Sequence, residues 1–197
     1  MSHYFIEDTT LAKNPKIVDF IVKNEKIMVV SDKGTFSKYR VDLGTRIFIN
    51  TIIALPLKGD ILDLGSGNGI IGISIKKIFS NDVNVSFADI NPYCVELTKK
   101  SLTLNDMFAD VYLSNGLENI DKKFNHILLN SPISAGKDVC FKLYKEAKDK
   151  LFDKGSLLIV IRKDKGALSH KKYLETLFNK VEIIEKDKGY YVLESSN

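Results

Sequence analysis

Two short strings in this 197-residue sequence combine residue types that can hold a ligand and act on it. The first, Asp63-Leu64-Gly65-Ser66-Gly67-Asn68-Gly69-Ile70-Ile71-Gly72, sets an acid ahead of a run of glycines. Glycines at this spacing permit a turn that brings backbone against a ligand, and a second acid, Asp89, ends the next apolar run, where a carboxylate can hold a ribose diol. Two ligands fit. Gly67-Asn68-Gly69-Ile70-Ile71-Gly72 spells the dinucleotide fingerprint, which would cradle the pyrophosphate of a nicotinamide cofactor and make the chain an oxidoreductase. Taken whole, the string reads Asp-x-Gly-x-Gly-x-Gly, a wider turn that includes the acid. Asp63 separates the two, because an acid at the mouth of a pyrophosphate loop repels the phosphates that a helix N-terminus attracts. It suits a cationic ligand, and S-adenosylmethionine carries an ammonium and a sulfonium beside a ribose diol. The string therefore favours S-adenosylmethionine, with the dinucleotide as the alternative.

The second string, His126-Ile127-Leu128-Leu129-Asn130-Ser131-Pro132-Ile133, ends an apolar run with an amide and a rigid proline. It resembles the Asn-Pro-Pro-aromatic or Asn-Pro-Pro-Ile signature of class I methyltransferases that act on exocyclic amino groups. Such a nitrogen has its lone pair drawn into the ring, so acceptors must hold its hydrogens and turn the lone pair in line. Asn130 Oδ1 and the main-chain carbonyl of Ser131 are the two candidate acceptors, with the barrier lowered by positioning and by the donor's own reactivity. The proton can leave to water afterwards, so no histidine base is required.

With both strings in order, nearly the whole chain is similar to the methyltransferase small family. The correspondence begins at His3-Tyr4-Phe5, passes through Gly34 to Lys38, Arg40 to Thr45, the glycine turn, Asp89-Ile90-Asn91, Ser114-Asn115-Gly116 and Asn130 to Lys137, and ends at Lys188-Gly189-Tyr190-Tyr191. Several strings in the right order are more specific than any one of them. The resemblance implies a Rossmann-like class I α/β fold, with a seven-stranded, mostly parallel sheet whose last strand is antiparallel. It implies S-adenosylmethionine as donor and the guanine N2 amine of small-subunit (16S) rRNA as acceptor, with rRNA or the small ribosomal subunit as partner. The base would have to leave its helix or come from an unpaired segment. Cofactor-binding residues carried over are Thr45, Asp63, Gly65, Ser66, Gly67, Gly69, Asp89, Ile90, Asn115, Gly116 and Asn130. The catalytic set is Asn130, Ser131, Pro132 and Ile133. Phe36, Lys38, Arg40 and Lys137 are the substrate candidates, the first three as an aromatic between cations that can meet RNA. Asp42 reads equally as a helix cap.

The chain also departs from the pattern. Ser131 replaces the first proline, which keeps the carbonyl but frees an amide and loosens the backbone. That substitution leaves open an rRNA-binding or assembly module with weakened or lost chemistry. Ile133 stands where many relatives place an aromatic. Asn115 replaces an acid that contacts the adenine amine, and its amide oxygen can still accept that bond.

These strings must be positioned by the elements around them. From Asp60 onward, apolar runs at 61–64, 83–88, 109–113, 126–129 and 156–161 alternate with helical patterns at 69–79, 92–104, 137–152 and 168–178. A hairpin, 181–185 with 190–193, turns at Asp187-Lys188-Gly189. Alternation predicts a parallel sheet covered on both faces, with ligands at the carboxyl ends of its strands. Val139, Leu143, Ala147 and Leu151 recur as the apolar stripe of the 137–152 helix. Near the N-terminus, 26–31 and 35–41 read as a hairpin turning at Asp32-Lys33-Gly34, followed by a helix over 44–55. The chain reads as one domain, a hairpin extension over 1–43 and a core over 44–197.

Composition narrows the class further. Lys and Arg number 29 against 25 Asp and Glu, a net +4 in which only Arg40, Arg46 and Arg162 are arginine. That balance is compatible with a polyanionic partner without demanding one. The longest apolar runs fall far short of the roughly 20 residues a membrane helix needs, and the N-terminus lacks a secretory pattern. Cys94 and Cys140 have no CxxC spacing, so disulfides, zinc and any other metal site are not expected, and the cytoplasm is the expected compartment. His126 reads as a packed strand residue, and His3 and His170 carry no signal. Oligomeric state is not legible.

Overall fold

Runs of β-branched and aromatic residues build a seven-stranded sheet in the order β5-β4-β3-β6-β7-β9-β8, seen in a computed structural model that describes residues 14–32 and 41–197. The strands are β3 (Gly59–Leu64), β4 (Val83–Asp89), β5 (Val111–Leu113), β6 (Phe124–Asn130), β7 (Leu151–Arg162), β8 (Lys180–Asp187) and β9 (Tyr190–Ser196). Neighbours from β5 to β7 are parallel, and β9 runs against both β7 and β8. Helices α2 (Ile70–Phe79), α3 (Pro92–Leu104) and α4 (Lys137–Asp149) make the crossovers, while α1 (Leu43–Ile52) precedes β3 and α5 (Ala167–Leu177) precedes β8. The chain steps outward from β3 to β5 and then returns to the other side of β3 as β6. That reversal is the switch point at which such sheets open a crevice.

Alternate strand side chains feed two cores. Ile61 and Leu128 face the layer that holds Ile47, Phe48, Ile52, Ile73 and Ile75, whereas Leu62, Ile127 and Leu129 face Cys140, Tyr144, Ala147 and Leu174. Each fully buried Leu or Ile contributes roughly 1.5–3 kcal/mol. The third helix starts where the sequence says: Asn91 Oδ1 accepts from Tyr93 N at 2.9 Å, with Pro92 at the first helical position.

Two expectations are corrected. Residues 25–31 do form a strand, β2 (Glu25–Ser31), but its partner is β1 (Lys16–Val22), in register from Lys16↔Ser31 to Val22↔Glu25. The two-residue turn, Lys23 and Asn24, has φ of 46° and 68°, and positive values at both positions suit the twist of a hairpin. Lys23 Nζ donates to Ile53 O at 2.9 Å and holds that turn on the end of α1. The return arm expected over 35–41 lies almost wholly outside the described residues. The free edge of β2 is met by α3, where Val30 N donates to Ser101 Oγ (2.9 Å) and Met28 N to Asn105 Oδ1 (3.1 Å). The second correction concerns α4, which ends at Asp149 so that Leu151 and Phe152 open β7. Its core stripe is Cys140, Tyr144 and Ala147; of the expected stripe Ala147 and Leu151 are buried, whereas Val139 and Leu143 are only half-buried. Among the described residues no helix is long and apolar enough to cross a membrane.

Candidate active site

The glycine turn leaves β3 through three left-handed positions, Gly65, Gly67 and Gly69, with φ of 68°, 59° and 83°. Glycine adopts these without the cost a Cβ would bring. The turn is clamped from β4: Gly65 N and Ser66 N both donate to Ala88 O (2.8 and 3.0 Å), and Gly67 N donates to Asp89 Oδ2 (2.8 Å). The other oxygen of Asp89 accepts from Asn91 N at 2.9 Å. Burial pushes the Asp89 carboxyl above its ordinary range, while amide donors from Asn91, Gly67 and Ile90 pull it back.

Asp63 is fully buried beneath the turn, not at its mouth. Its Oδ2 accepts from Gly72 N at 2.8 Å, while Oδ1 has no hydrogen-bond partner among the described residues. Burial pushes its pKa up from 3.8 to about 7, the Gly72 amide opposes this, and the charge on Asp89 adds to it. A Cβ on Gly72 would run into the Phe87 ring and lie 3.0 Å from Asp63 Cβ, so the third glycine of the fingerprint serves close packing of α2 on the sheet. Ser66 is likewise buried and faces Thr98 of α3, 3.4 Å from its Oγ1.

A cleft opens at the carboxyl ends of β3, β4 and β6 and the segment after β5, the edge at which such sheets bind ligands. Gly65, Asp89, Asn115, Gly116 and Asn130 line its polar side, and Ile90, Pro132, Val139 and Leu143 its apolar side. The α4 stripe expected in the core is thus partly cleft wall. Asn115 Nδ2 donates to Glu118 Oε1 at 3.0 Å, which leaves its Oδ1 as the acceptor. Gly116 has φ of 64° and is packed against Glu146, whose Oε2 accepts from Leu117 N at 3.0 Å.

At the end of β6, Asn130 Nδ2 donates to Thr45 Oγ1 at 3.0 Å, which brings the first turn of α1 into the site. Ser131 is tied on three sides. Its N–H donates to Val160 O (3.3 Å), so the expected free amide is instead bonded to β7. Its Oγ lies 2.9 Å from the Tyr144 hydroxyl. Its carbonyl accepts from Ile133 N at 2.8 Å across Pro132, whose φ of −77° and ψ of 67° make an inverse γ-turn. A carbonyl has two lone pairs, so one remains for a substrate.

Pro132 forms cleft wall, whereas Ile133 is half-buried against the core on the α4 side. Lys137 is exposed at the start of α4, with Nζ 5.6 Å from the centre of the Phe141 ring. Phe36, Lys38 and Arg40 lie outside the described residues. His126 is a packed strand residue, its Nδ1 2.9 Å from Ser156 Oγ and its pKa lowered by burial. Sequence reasoning missed Tyr144 and His170, which sit 2.9 Å apart behind Ser131, because no local pattern links two helices so far apart in the chain. Among the described residues no group of three or more His, Cys, Asp or Glu is placed to hold a metal ion.

Residues 26–194 match the family described as the methyltransferase small domain. The chain is 35% identical over 196 residues to the uncharacterized protein YbxB of Bacillus subtilis, covering 98% of this chain and 97% of that protein. It is 32% identical to the ribosomal RNA small subunit methyltransferase C of Haemophilus influenzae strain PittGG, covering 88% of this chain but 52% of that enzyme. The chain therefore spans about half the length of that enzyme. Its fold superposes, with a TM-score of 0.83 and 20% identity, on a T. thermophilus 16S rRNA N2 methyltransferase in complex with AdoMet and guanosine, over 93% of this chain and 50% of that one.

Proposed function

This chain belongs to the methyltransferase small domain family, and on that premise we propose that it is an S-adenosylmethionine-dependent methyltransferase whose acceptor is the guanine N2 amine of small-subunit rRNA. The observation that carries the reading is the Asn130 amide. It stands at the cleft beside the glycine turn with its nitrogen already donated to Thr45, so that its oxygen is the atom left to accept.

The residues suit the cofactor. Asp89 presents a carboxylate to a ribose diol, Asn115 an amide oxygen to an adenine amine, and Ile90 and Leu143 an apolar lining for the adenine ring. The Gly67 N–H of the turn is already donated to the Asp89 carboxylate and is not offered to a pyrophosphate, which weighs against the nicotinamide alternative. When bound, S-adenosylmethionine supplies an electrophilic methyl group on sulfur. The chain's own contribution is orientation. Asn130 Oδ1 and the Ser131 carbonyl accept the two amine hydrogens and turn the lone pair in line, and Pro132 walls the base pocket. The binding-module alternative rested on a loose Ser131 backbone, and the bonds to Val160 and Tyr144 weigh against it. Lys137, exposed next to the motif, supports contact with RNA phosphate.

The test is to incubate the protein with methyl-labelled S-adenosylmethionine and ribosomal particles from a strain lacking the gene, then map the label. The expected result is one labelled guanine N2 in the small-subunit RNA. Label on another atom or on protein refutes the acceptor, and no cofactor binding refutes the reading altogether.

A further inference from the structure

We propose that Asp42 and Thr45 are positioning residues that decide which end of the Asn130 amide faces the cleft, an inference that rests on the acceptor role given to Asn130 above. Thr45 Oγ1 lies 2.5 Å from Asp42 Oδ2 and 3.0 Å from Asn130 Nδ2. A hydroxyl has one proton and two lone pairs, and a carboxylate only accepts. The single proton therefore goes to Asp42. What Thr45 then shows Asn130 is a lone pair, and only the amide nitrogen can meet a lone pair. The Asn130 oxygen, on the other branch of the amide, is left for the cleft. Rotating the amide by half a turn would set Oδ1 against that lone pair and aim two donors at a substrate amine that is itself a donor.

The relay is anchored at both ends. Asp42 Oδ1 accepts from Thr45 N at 3.0 Å and so caps α1, and Thr45 is buried at 4% exposure, so bulk water does not compete for its hydroxyl. Gly44, between them, packs on Tyr190 at the start of β9, where a Cβ would lie 2.6 Å from Cε1. The first turn of α1 is thereby packed against the start of β9 while Thr45 meets Asn130 at the end of β6.

Asp42→Asn is the discriminating variant, because asparagine caps a helix as well as aspartate. It replaces the accepting Oδ2 with a donating NH2, so the Thr45 proton turns to residue 130 and the amide there is driven to reverse. We expect turnover to fall about 10- to 100-fold, the scale of a lost or inverted hydrogen bond in the reacting complex, with cofactor affinity within about twofold and melting temperature nearly unchanged. Thr45→Val should show a similar loss of turnover and Thr45→Ser should restore most of it. Asp42→Asn turning over like the parent overturns the relay, as does a loss confined to cofactor affinity or to stability. A readout free of activity separates this from the proposed function. In protein labelled with 15N-asparagine, the side-chain NH2 signals of Asn130, assigned by their absence in Asn130→Ala, should shift in Asp42→Asn and exchange faster with water in Thr45→Val. Unmoved signals overturn the relay. Moved signals in a protein that methylates nothing uphold the relay and overturn the acceptor role instead.

Discussion

Ser131 Oγ lies 2.9 Å from the hydroxyl of Tyr144, and that hydroxyl lies 2.9 Å from His170 Nδ1. All three side chains are buried, so the turn after β6 is pinned to α4 and α5 by polar bonds that water does not contest. A proline at this position would stiffen the same turn by fixing its φ, without an N–H or a hydroxyl to offer. The chain thus replaces covalent stiffness with a network that needs a matching tyrosine and histidine.

Tyr144→Phe tests that network. It removes one hydroxyl and leaves two buried polar atoms, Ser131 Oγ and His170 Nδ1, short of this partner. The cost of such orphans is about 1–3 kcal/mol, or roughly 2–10 °C in melting temperature for a chain of this size. Thermal unfolding followed by circular dichroism checks it, and a midpoint within a degree of the parent would show that the three groups do not act together.

Ser131→Pro asks whether the family's usual residue would do better here. The substitution deletes the N–H bonded to Val160 O and the hydroxyl bonded to Tyr144. We expect a lower melting temperature and no gain in methyl transfer. A large rise in turnover would mean that Ser131 had weakened the site.

His170 supplies a pH dependence with a definite sign. Burial pushes its pKa down from 6.5 to about 4, with the positive charge of Lys137 adding to the effect. The folded state therefore refuses a proton that the unfolded state binds, and stability rises with pH across that window. Its contribution is full above about 6.5 and is lost as the pH falls towards 4. Asp63 works in the opposite sense, since its pKa is raised to about 7 and its contribution, full below 3.8, is lost as the pH rises through 7. The two overlap, so a melting curve alone would blend them. NMR titration of the His170 ring should give a midpoint well below 6.5, and a midpoint near 6.5 contradicts the buried, neutral ring.

Much of this was legible in the sequence, for identifiable reasons. The turn from β3 into α2 announced itself because three left-handed backbone positions demand glycine, and α3 because Asn91 and Pro92 mark its start. The strand end at Asn130 was readable from an apolar run that stops at an amide. What escaped had no local signature. The β1–β2 turn uses Lys23 and Asn24 without a glycine, so nothing in the sequence marked it. Val139 and Leu143 share four-residue spacing with the buried Ala147, and nothing in that spacing says which side of a helix meets a cleft. The contacts of Asn130 with Thr45 and of Tyr144 with His170 exist only once the sheet has brought distant segments to one edge.

The division of labour between the two strand ends gives the last prediction. Asp89 clamps Gly67 and lines the cleft, so Asp89→Ala should weaken S-adenosylmethionine binding about 10- to 100-fold, the range for a hydrogen bond to a charged group. Asn130 meets the opposite requirement: its proposed work is done on the amine as the methyl moves, so Asn130→Ala should leave cofactor affinity nearly unchanged while turnover falls by about 100-fold or more. Calorimetric titration with the cofactor and single-turnover methyl transfer, run on both variants, separate the roles. If Asn130→Ala transfers methyl groups at the parent rate, the acceptor assignment is wrong, whatever Asp89→Ala does. If Asp89→Ala binds as tightly as the parent, Asp89 only holds the turn through Gly67 and Asn91, and the ribose must be held by other groups in the cleft.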